Sequence, residues 1–382
     1  MKDLIVVGAG CVGSHVACRL AEKGLDVLVL EKDRAIGDSV NCSGIIGIEA
    51  FSKLDFSRES IQNHLQTIKV FGPSGQSVVY KPKEPWAHIV DRVNFDCQMA
   101  EKAIKNNANY RMESQVENIL YDDDGVSLTV QFKKELKTFR AKACVLATGF
   151  GAKLIQKAGL GKIHNCIQGV QLEAVVQDVE EVEIYFGNKI TPGSFAWVVP
   201  IGDERCKIGL LAIKGGGELL RRFVEGPYLA PRLRDWDGTM KASPIPMGTL
   251  PKTFAERILV VGEAAGQVKI TTAGGIYYGL LCAEIAAKVL GRAFQENDFS
   301  EVSLAAYDSE WRALLKSEQD AGMILRNIFS KMSDHHIDVL INLAKCDGII
   351  PLVNKAFHFD WHAPLISALL KNQLKSWAVT SE

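Results

Sequence analysis

Short unbroken apolar runs and helical spacing alternate near the start of the chain. Asp3-Leu-Ile-Val-Val7 is continuous rather than alternating, the pattern of a strand covered on both faces in a parallel sheet. It runs into Gly8-Ala-Gly-Cys-Val-Gly13, after which Ser14 to Lys23 carries helical periodicity and Gly24 ends the helix. Asp26-Val-Leu-Val-Leu-Glu31 reads as a second buried strand, which completes a strand–turn–helix–strand unit. The same grammar returns late in the chain. Ile258-Leu-Val-Val261 leads into Gly262-Glu-Ala-Ala-Gly266, a loop reaches Gly274-Gly275, and a helix is predicted from Ile276 to about Leu290.

Between these units the rhythm changes. The segment from Thr67 to Tyr80 alternates around Gly72-Pro73-Ser74-Gly75 and predicts a hairpin. Asp91 opens a helix to about Asn106, and strands are expected near Tyr110–Leu120, Val126–Phe132 and Lys137–Ala147. Alternation from Ile167 to Leu211 predicts a mostly antiparallel sheet, and Gly217–Asp237 reads as a helix and a surface loop. Gly215-Gly-Gly217 lacks the Lys-Ser/Thr of a phosphate loop and is taken as a turn. Beyond residue 300 the pattern is helical.

Composition narrows the class. The 382 residues are 47% hydrophobic and 23% charged, a globular composition. The 44 basic residues nearly cancel the 45 acidic ones, which argues against a nucleic-acid partner. The nine cysteines are scattered with no CxxC pair, so they read as small buried hydrophobes in a reducing cytoplasm. No signal peptide is expected. Gly274–Leu290, broken by Glu284, does not read as a transmembrane span.

The first glycine turn carries chemistry. Gly8 permits the tight turn, Gly10 lets a pyrophosphate approach the backbone, and Gly13 lets helix and strand pack closely. The helix N-terminus offers N–H groups and a positive dipole end to phosphate. Glu31, closing the next strand, is placed to accept from both hydroxyls of a ribose. Strand, turn, helix and acid together predict dinucleotide binding.

Three stretches then resemble known flavoproteins. Gly8–Gly13 with Glu31 is similar to the N-terminal FAD fingerprint of the glutathione-reductase type. Gly262–Gly266, followed by Thr271-Thr-Ala-Gly-Gly-Ile-Tyr-Tyr-Gly279, resembles the second FAD motif (GDxxG, then GGGI) of the aromatic-hydroxylase-like branch. Pro192-Gly-Ser-Phe-Ala-Trp-Val-Val-Pro200 resembles the PxxYxWxFP signature of the geranylgeranyl reductases, and the chain is identified as a member of that family. Glu263 stands for the usual Asp, Ala273 breaks the triple glycine, and Phe195 and Val199 replace signature aromatics.

The resemblance implies an α/β protein, α+β overall. It would have a Rossmann-type FAD-binding domain (1–66, 86–160 and 251–295), an inserted antiparallel-sheet substrate domain (67–85 and 161–250) and a helical C-terminal region (296–382). By position it implies flavin contacts at Val12 in the phosphate turn, Glu31 on the adenosine ribose, and Cys42 and Ser43 beside the isoalloxazine. It adds Arg92 on the pyrophosphate, Val116 near the adenine, and Glu263, Gly275 and Ile276, with the last helix aimed at the flavin's pyrimidine end. Pro192, Phe195, Trp197 and Pro200 are expected to line the substrate pocket. Trp197 also reads as a core residue, and Cys42 either as a proton shuttle or as a packed small residue.

The activity so implied is saturation of isoprenoid C=C bonds in a geranylgeranyl lipid or polyprenyl diphosphate, by hydride transfer from reduced flavin. The one complete GxGxxG is claimed by FAD, so electrons are expected from NAD(P)H in transient contact or from a carrier such as reduced ferredoxin. Two other classes share the scaffold: flavin monooxygenases or halogenases, and non-catalytic electron relays. A halogenase would carry WxWxIP, which is absent, and a relay dehydrogenase a cysteine cluster where Cys346 stands alone. His358 and His362 have i, i+4 spacing but no evident third ligand, and read as surface or packing residues. Ala363–Trp377, if helical, puts Leu365, Leu369 and Trp377 near one face beside Lys371 and Lys375. It is read either as packing on the body or as a peripheral contact with the inner face of the membrane.

Overall fold

The computed structural model describes residues 1–345, 353 and 357–368. Strand Lys2–Val7 lies at the centre of a parallel row, flanked by Val27–Leu30 and by the second half of Glu135–Leu146. Asn109–Arg111 and Ile258–Val260 extend the row on either side. Successive side chains point to opposite faces. Leu4 and Val6 therefore pack with the helices Cys11–Ala21, Arg92–Lys105 and Ile276–Glu296. Ile5 and Val7 meet Ile119, Val126 and Leu128 of an antiparallel meander. Both faces being covered is why the strand reads as one apolar run. The long strand Glu135–Leu146 joins both arrangements, antiparallel to Gly125–Phe132 at its start and parallel to Lys2–Val7 at its end.

A second sheet is built mainly from antiparallel strands Cys166–Val176, Arg205–Ala212, Phe195–Gly202 and Val182–Phe186. The hairpin Ile68–Phe71 and Ser77–Tyr80 joins it through a parallel pairing with Val182–Phe186. One face packs Ala196, Val198, Ile208 and Leu210 with Leu220 and Phe223 of helix Gly216–Val224. The opposite face turns toward Asn41–Ser43 and Val268–Ala273. Ile45–Gly47, Ala87–Val90 and Ile61–Leu65 form a small third sheet.

Some boundaries differ from those the pattern predicts. The first helix begins at Cys11, inside the glycine turn, because Gly10 already serves as its N-cap. The helix from Ile276 runs to Glu296, past Leu290, since Ala293 and Phe294 continue its buried face. Leu233–Asp235, in a stretch read as helix and loop, pairs with Cys166–Val176.

Helices Glu301–Phe329 and Asp334–Ala344 make the C-terminal region helical, and no described helix is long and apolar enough to cross a membrane. Residues 357–363 then return across the body. Lys269 Nζ donates to Asp360 Oδ1 at 2.9 Å, with both side chains at most 9% exposed. Tyr278 Oη donates to the Asp360 carbonyl, Trp361 Nε1 to Glu49, and the backbone N–H groups of His362 and Ala363 to Glu318. His358 and His362 share no helix here: His358 is exposed. His362 packs inward, with its ring nitrogens 2.6 Å from Thr271 Oγ1 and 2.9 Å from the Phe359 carbonyl oxygen. Leu369, Lys371, Lys375, Trp377 and Cys346 lie outside the described residues.

Two outcomes follow from this returning segment. Asp360→Ala leaves the Lys269 ammonium buried without its counter-ion, and the chemical-denaturation midpoint should fall by the equivalent of about 3 kcal/mol. A loss below about 1 kcal/mol would show the pair to be solvent-screened. Burial, with Lys269 adding to it, pushes the His362 pKa down to about 4, below its ordinary value of 6.5. The unfolded chain therefore takes up a proton that the folded one refuses, and stability is lost as pH falls from about 6.5 toward 4. Thermal melts across that range should show a steeper loss in the native protein than in His362→Gln.

Candidate active site

The glycine turn is built by collision on one side and open space on the other. Gly8 has φ 108°, and a Cβ there would strike the Ala147 carbonyl oxygen. Gly10 instead has ordinary extended backbone, φ −66° and ψ 172°, and a Cβ there would meet nothing within 4 Å. It caps helix Cys11–Ala21 with no side-chain partner, so the first-turn N–H groups stay available to phosphate oxygens. Just past the second strand, the Glu31 carboxylate accepts from the N–H groups of Ala9 at 2.7 Å and Asp33 at 3.0 Å, which aims it across the turn. The N–H of Ser114 donates to the Glu31 carbonyl, and this brings Val116 alongside.

The later glycine motif docks on this turn. Gly262, at φ 72°, and Gly279 both lie against Val12, close enough that a Cβ on either would press on its side chain. Gly275 caps helix Ile276–Glu296, and a Cβ on it would sit 3.3 Å from the Glu263 side chain. Ala273 holds φ 59°, a left-handed conformation that glycine accepts more readily. Burial raises the pKa of Glu263, with Arg92 opposing the shift. Arg92 is itself gripped by Asp96, one helical turn on, through Nε at 3.1 Å and Nη2 at 2.9 Å. Cys11 lies within electrostatic reach of Asp96, Arg92, Cys42 and Glu263, and its thiol is pushed up to about 12, chiefly by burial.

The other wall comes from the second sheet. Asn41 Nδ2 donates to the Gly169 carbonyl at 3.4 Å and to Ser243 Oγ at 3.2 Å. Gln171 Nε2 donates to the Cys42 carbonyl at 3.3 Å, and Lys207 Nζ to that of Ser43 at 3.4 Å. The indole of Trp197 fills the space left by Gly209 on the neighbouring strand, and Phe195 and Trp197 pack with Val268, Ile270 and Ala273. Asn41 Oδ1, Gln171 Oε1 and Trp197 Nε1 are buried with no hydrogen-bond partner. Uncovered N–H groups, open space at Gly10 and unmatched buried polar atoms fit a bound dinucleotide that reaches from Glu31 to this wall.

The structure divides the tryptophan signature. Phe195 and Trp197 share a face, whereas Pro200 stands opposite Cys206, whose side chain belongs to the core on the other side. Pro192 is exposed in the turn before the strand. Of the four residues expected to line a pocket, only Phe195 and Trp197 share this face, since side chains alternate along the strand. Four neighbours of the site go unread in the sequence: Asn41, Asp96, Gln171 and Lys207. Two left a signal, Asp96 in its i, i+4 spacing from Arg92 and Lys207 as a cation inside the apolar run Cys206–Ala212.

Residues 3–73 match the family of FAD dependent oxidoreductases. The chain is 31% identical over 350 residues to the digeranylgeranylglycerophospholipid reductase of Methanocaldococcus jannaschii, covering 88% of this chain and 89% of that one. The chain belongs to the digeranylgeranylglycerophospholipid reductase family. It is thus an FAD-dependent oxidoreductase of the geranylgeranyl reductase kind. Its fold matches that of a geranylgeranyl bacteriochlorophyll reductase-like protein from Thermoplasma acidophilum, with TM-score 0.86, 22% identity and coverage of 96% and 95% of the two chains. A flavin-dependent brominase variant has the same fold at TM-score 0.73 and 15% identity, covering 99% of this chain and 100% of that one.

The contrast between the two glycines gives a direct check. Gly10→Val points its side chain into open space, so the protein should fold with a near-normal melting temperature and fail to retain FAD. Gly8→Val collides with backbone and should compromise the fold itself. Flavin absorbance read beside a thermal melt separates the two. Equal FAD retention by Gly10→Val and the native protein would contradict the placement of the cofactor.

Proposed function

We propose that this chain saturates C=C bonds in the geranylgeranyl chains of a glycerophospholipid. The observation that carries the reading is the apolar wall of Phe195 and Trp197 facing the Val268–Ala273 loop, in a chain akin to lipid reductases. Bound FAD, once reduced, supplies a hydride. The first-turn N–H groups behind Gly10 would hold its pyrophosphate, Glu31 would accept from its adenosine ribose, and Val116 would border the adenine. Arg92, Glu263, Gly275 and Ile276 would line its further course.

An isolated alkene is not polarised, so no single base activates it. A hydride must meet one carbon while a proton reaches the other. Phe195 and Trp197 hold the alkene in place and exclude water, and positioning supplies much of the rate. Cys42, half-buried beside this wall with its Sγ accepting from the Gly44 N–H at 3.4 Å, is the candidate to pass that proton.

FAD takes the one GxGxxG turn, so electrons come from NAD(P)H in passing contact or from a reduced ferredoxin. The lipid is drawn from a membrane surface. Ile324, Ile328, Leu340 and Leu343, all at least 40% exposed at the ends of two C-terminal helices, support such peripheral contact.

Reduced enzyme incubated with geranylgeranyl glycerophospholipid, and separately with geranylgeranyl diphosphate, should convert the lipid in steps of two added hydrogens, as read by product mass. Trp197→Ala should retain FAD yet slow the conversion about tenfold or more. Addition of one oxygen would move the protein to the monooxygenases. No change in either compound would overturn the proposal.

A further inference from the structure

The cleft face of the second sheet carries a cation that the reading above leaves unused. On strand Arg205–Ala212, Lys207 alternates with Cys206 and Ile208, which point into the core, so its side chain enters the face shared by Trp197 and Val199. It is 7% exposed. An ammonium has three protons to donate. Among the described residues Lys207 makes one hydrogen bond, the 3.4 Å contact to the Ser43 carbonyl. Nearby carboxylates are committed elsewhere. Glu173, its cross-strand neighbour, pairs with Arg205, Asp96 holds Arg92, and Asp91 caps the helix Arg92–Lys105. A buried ammonium left this way is costly unless a ligand completes it.

The neighbouring unmatched atoms say which ligand. Gln171 Oε1 and Asn41 Oδ1 are acceptors that need donors, whereas Lys207 needs an acceptor or an anion. An ionised phosphate or diphosphate offers acceptors alone. The isoalloxazine ring offers N–H and C=O groups along one edge, and it becomes an anion when it takes up two electrons and one proton. We propose that Lys207 is the charge that stabilises the reduced flavin ring, so that reduced FAD binds more tightly than oxidised FAD and the cofactor is easier to load with electrons.

This rests on the reading that Cys42 and Ser43 flank the ring. Lys207 keeps its proton throughout, while the two electrons and the proton come from the reductant and solvent. Burial draws its pKa below the ordinary lysine value, with Cys42, Glu173 and Asp91 acting against the shift and Arg92 adding to it. An anion alongside restores the charged form.

The test is an anaerobic redox titration of the FAD-bound protein without substrate, for wild type, Lys207→Met and Lys207→Arg. Lys207→Met should lose about tenfold of the preference for reduced over oxidised FAD, a fall of about 29.6 mV for a two-electron couple. Lys207→Arg should keep most of the native potential. Sulfite, which adds to the oxidised ring to give an anion, should bind about tenfold more weakly to the Met variant. If Lys207→Met holds FAD too loosely to titrate, Lys207→Gln serves as the neutral variant. A native potential in the neutral variant overturns the proposal, and so does an equal fall in Met and Arg. A wild type that takes up no FAD overturns the reading of the site, and this inference with it.

Discussion

The segment Asn41–Ser43 leaves the cofactor-side sheet after Glu31 and is clasped to the other sheet by Asn41, Gln171 and Lys207. None of these bonds is local in sequence. Gln171 and Lys207 lie 129 and 164 residues from the carbonyls they hold. The clasp therefore exists only when both sheets are folded and docked. On the proposed reading, a nucleotide at the glycine turn and an apolar chain at Trp197 would meet there, because this segment spans the seam. Residues 357–363 brace the seam from the far side, where Asp360 ties back to Lys269 just before the Ala273–Gly275 loop.

The scaffold itself does not choose the reaction. A brominase variant and a reductase-like protein share it, so the choice falls to the few side chains that face the cleft. On the proposed reading these are Phe195 and Trp197 on one wall and the 42–43 segment on the other, with the buried Lys207 ammonium near Ser43. The apolar rings of Phe195 and Trp197 would suit an isoprenoid alkene, which offers nothing to hydrogen-bond. The chain departs from its family's signature at Phe195, where a tyrosine hydroxyl is lost, and this makes the wall more apolar still.

The parts of the fold readable in the sequence are those set by local rules. Buried parallel strands announce themselves as unbroken runs, and the conformation of Gly8 shows in its spacing from Gly13. The tryptophan signature, taken as one unit, hides the two-residue period that sends Pro200 to the opposite face. Lys207 and Gln171 belong to the site only through strand register, and Asp360 only through a contact 91 residues away. Such pairings depend on how the sheets dock, which no short window of sequence contains.

On the proposed reading, reduced flavin gives its electrons to an alkene rather than to dioxygen. The most direct measurement is anaerobic mixing of photoreduced enzyme with geranylgeranyl glycerophospholipid while flavin absorbance is followed. The oxidised spectrum should return without oxygen, with one double bond lost for each flavin reoxidised. A flavin that stays reduced until air is admitted, with the lipid unchanged, would contradict it.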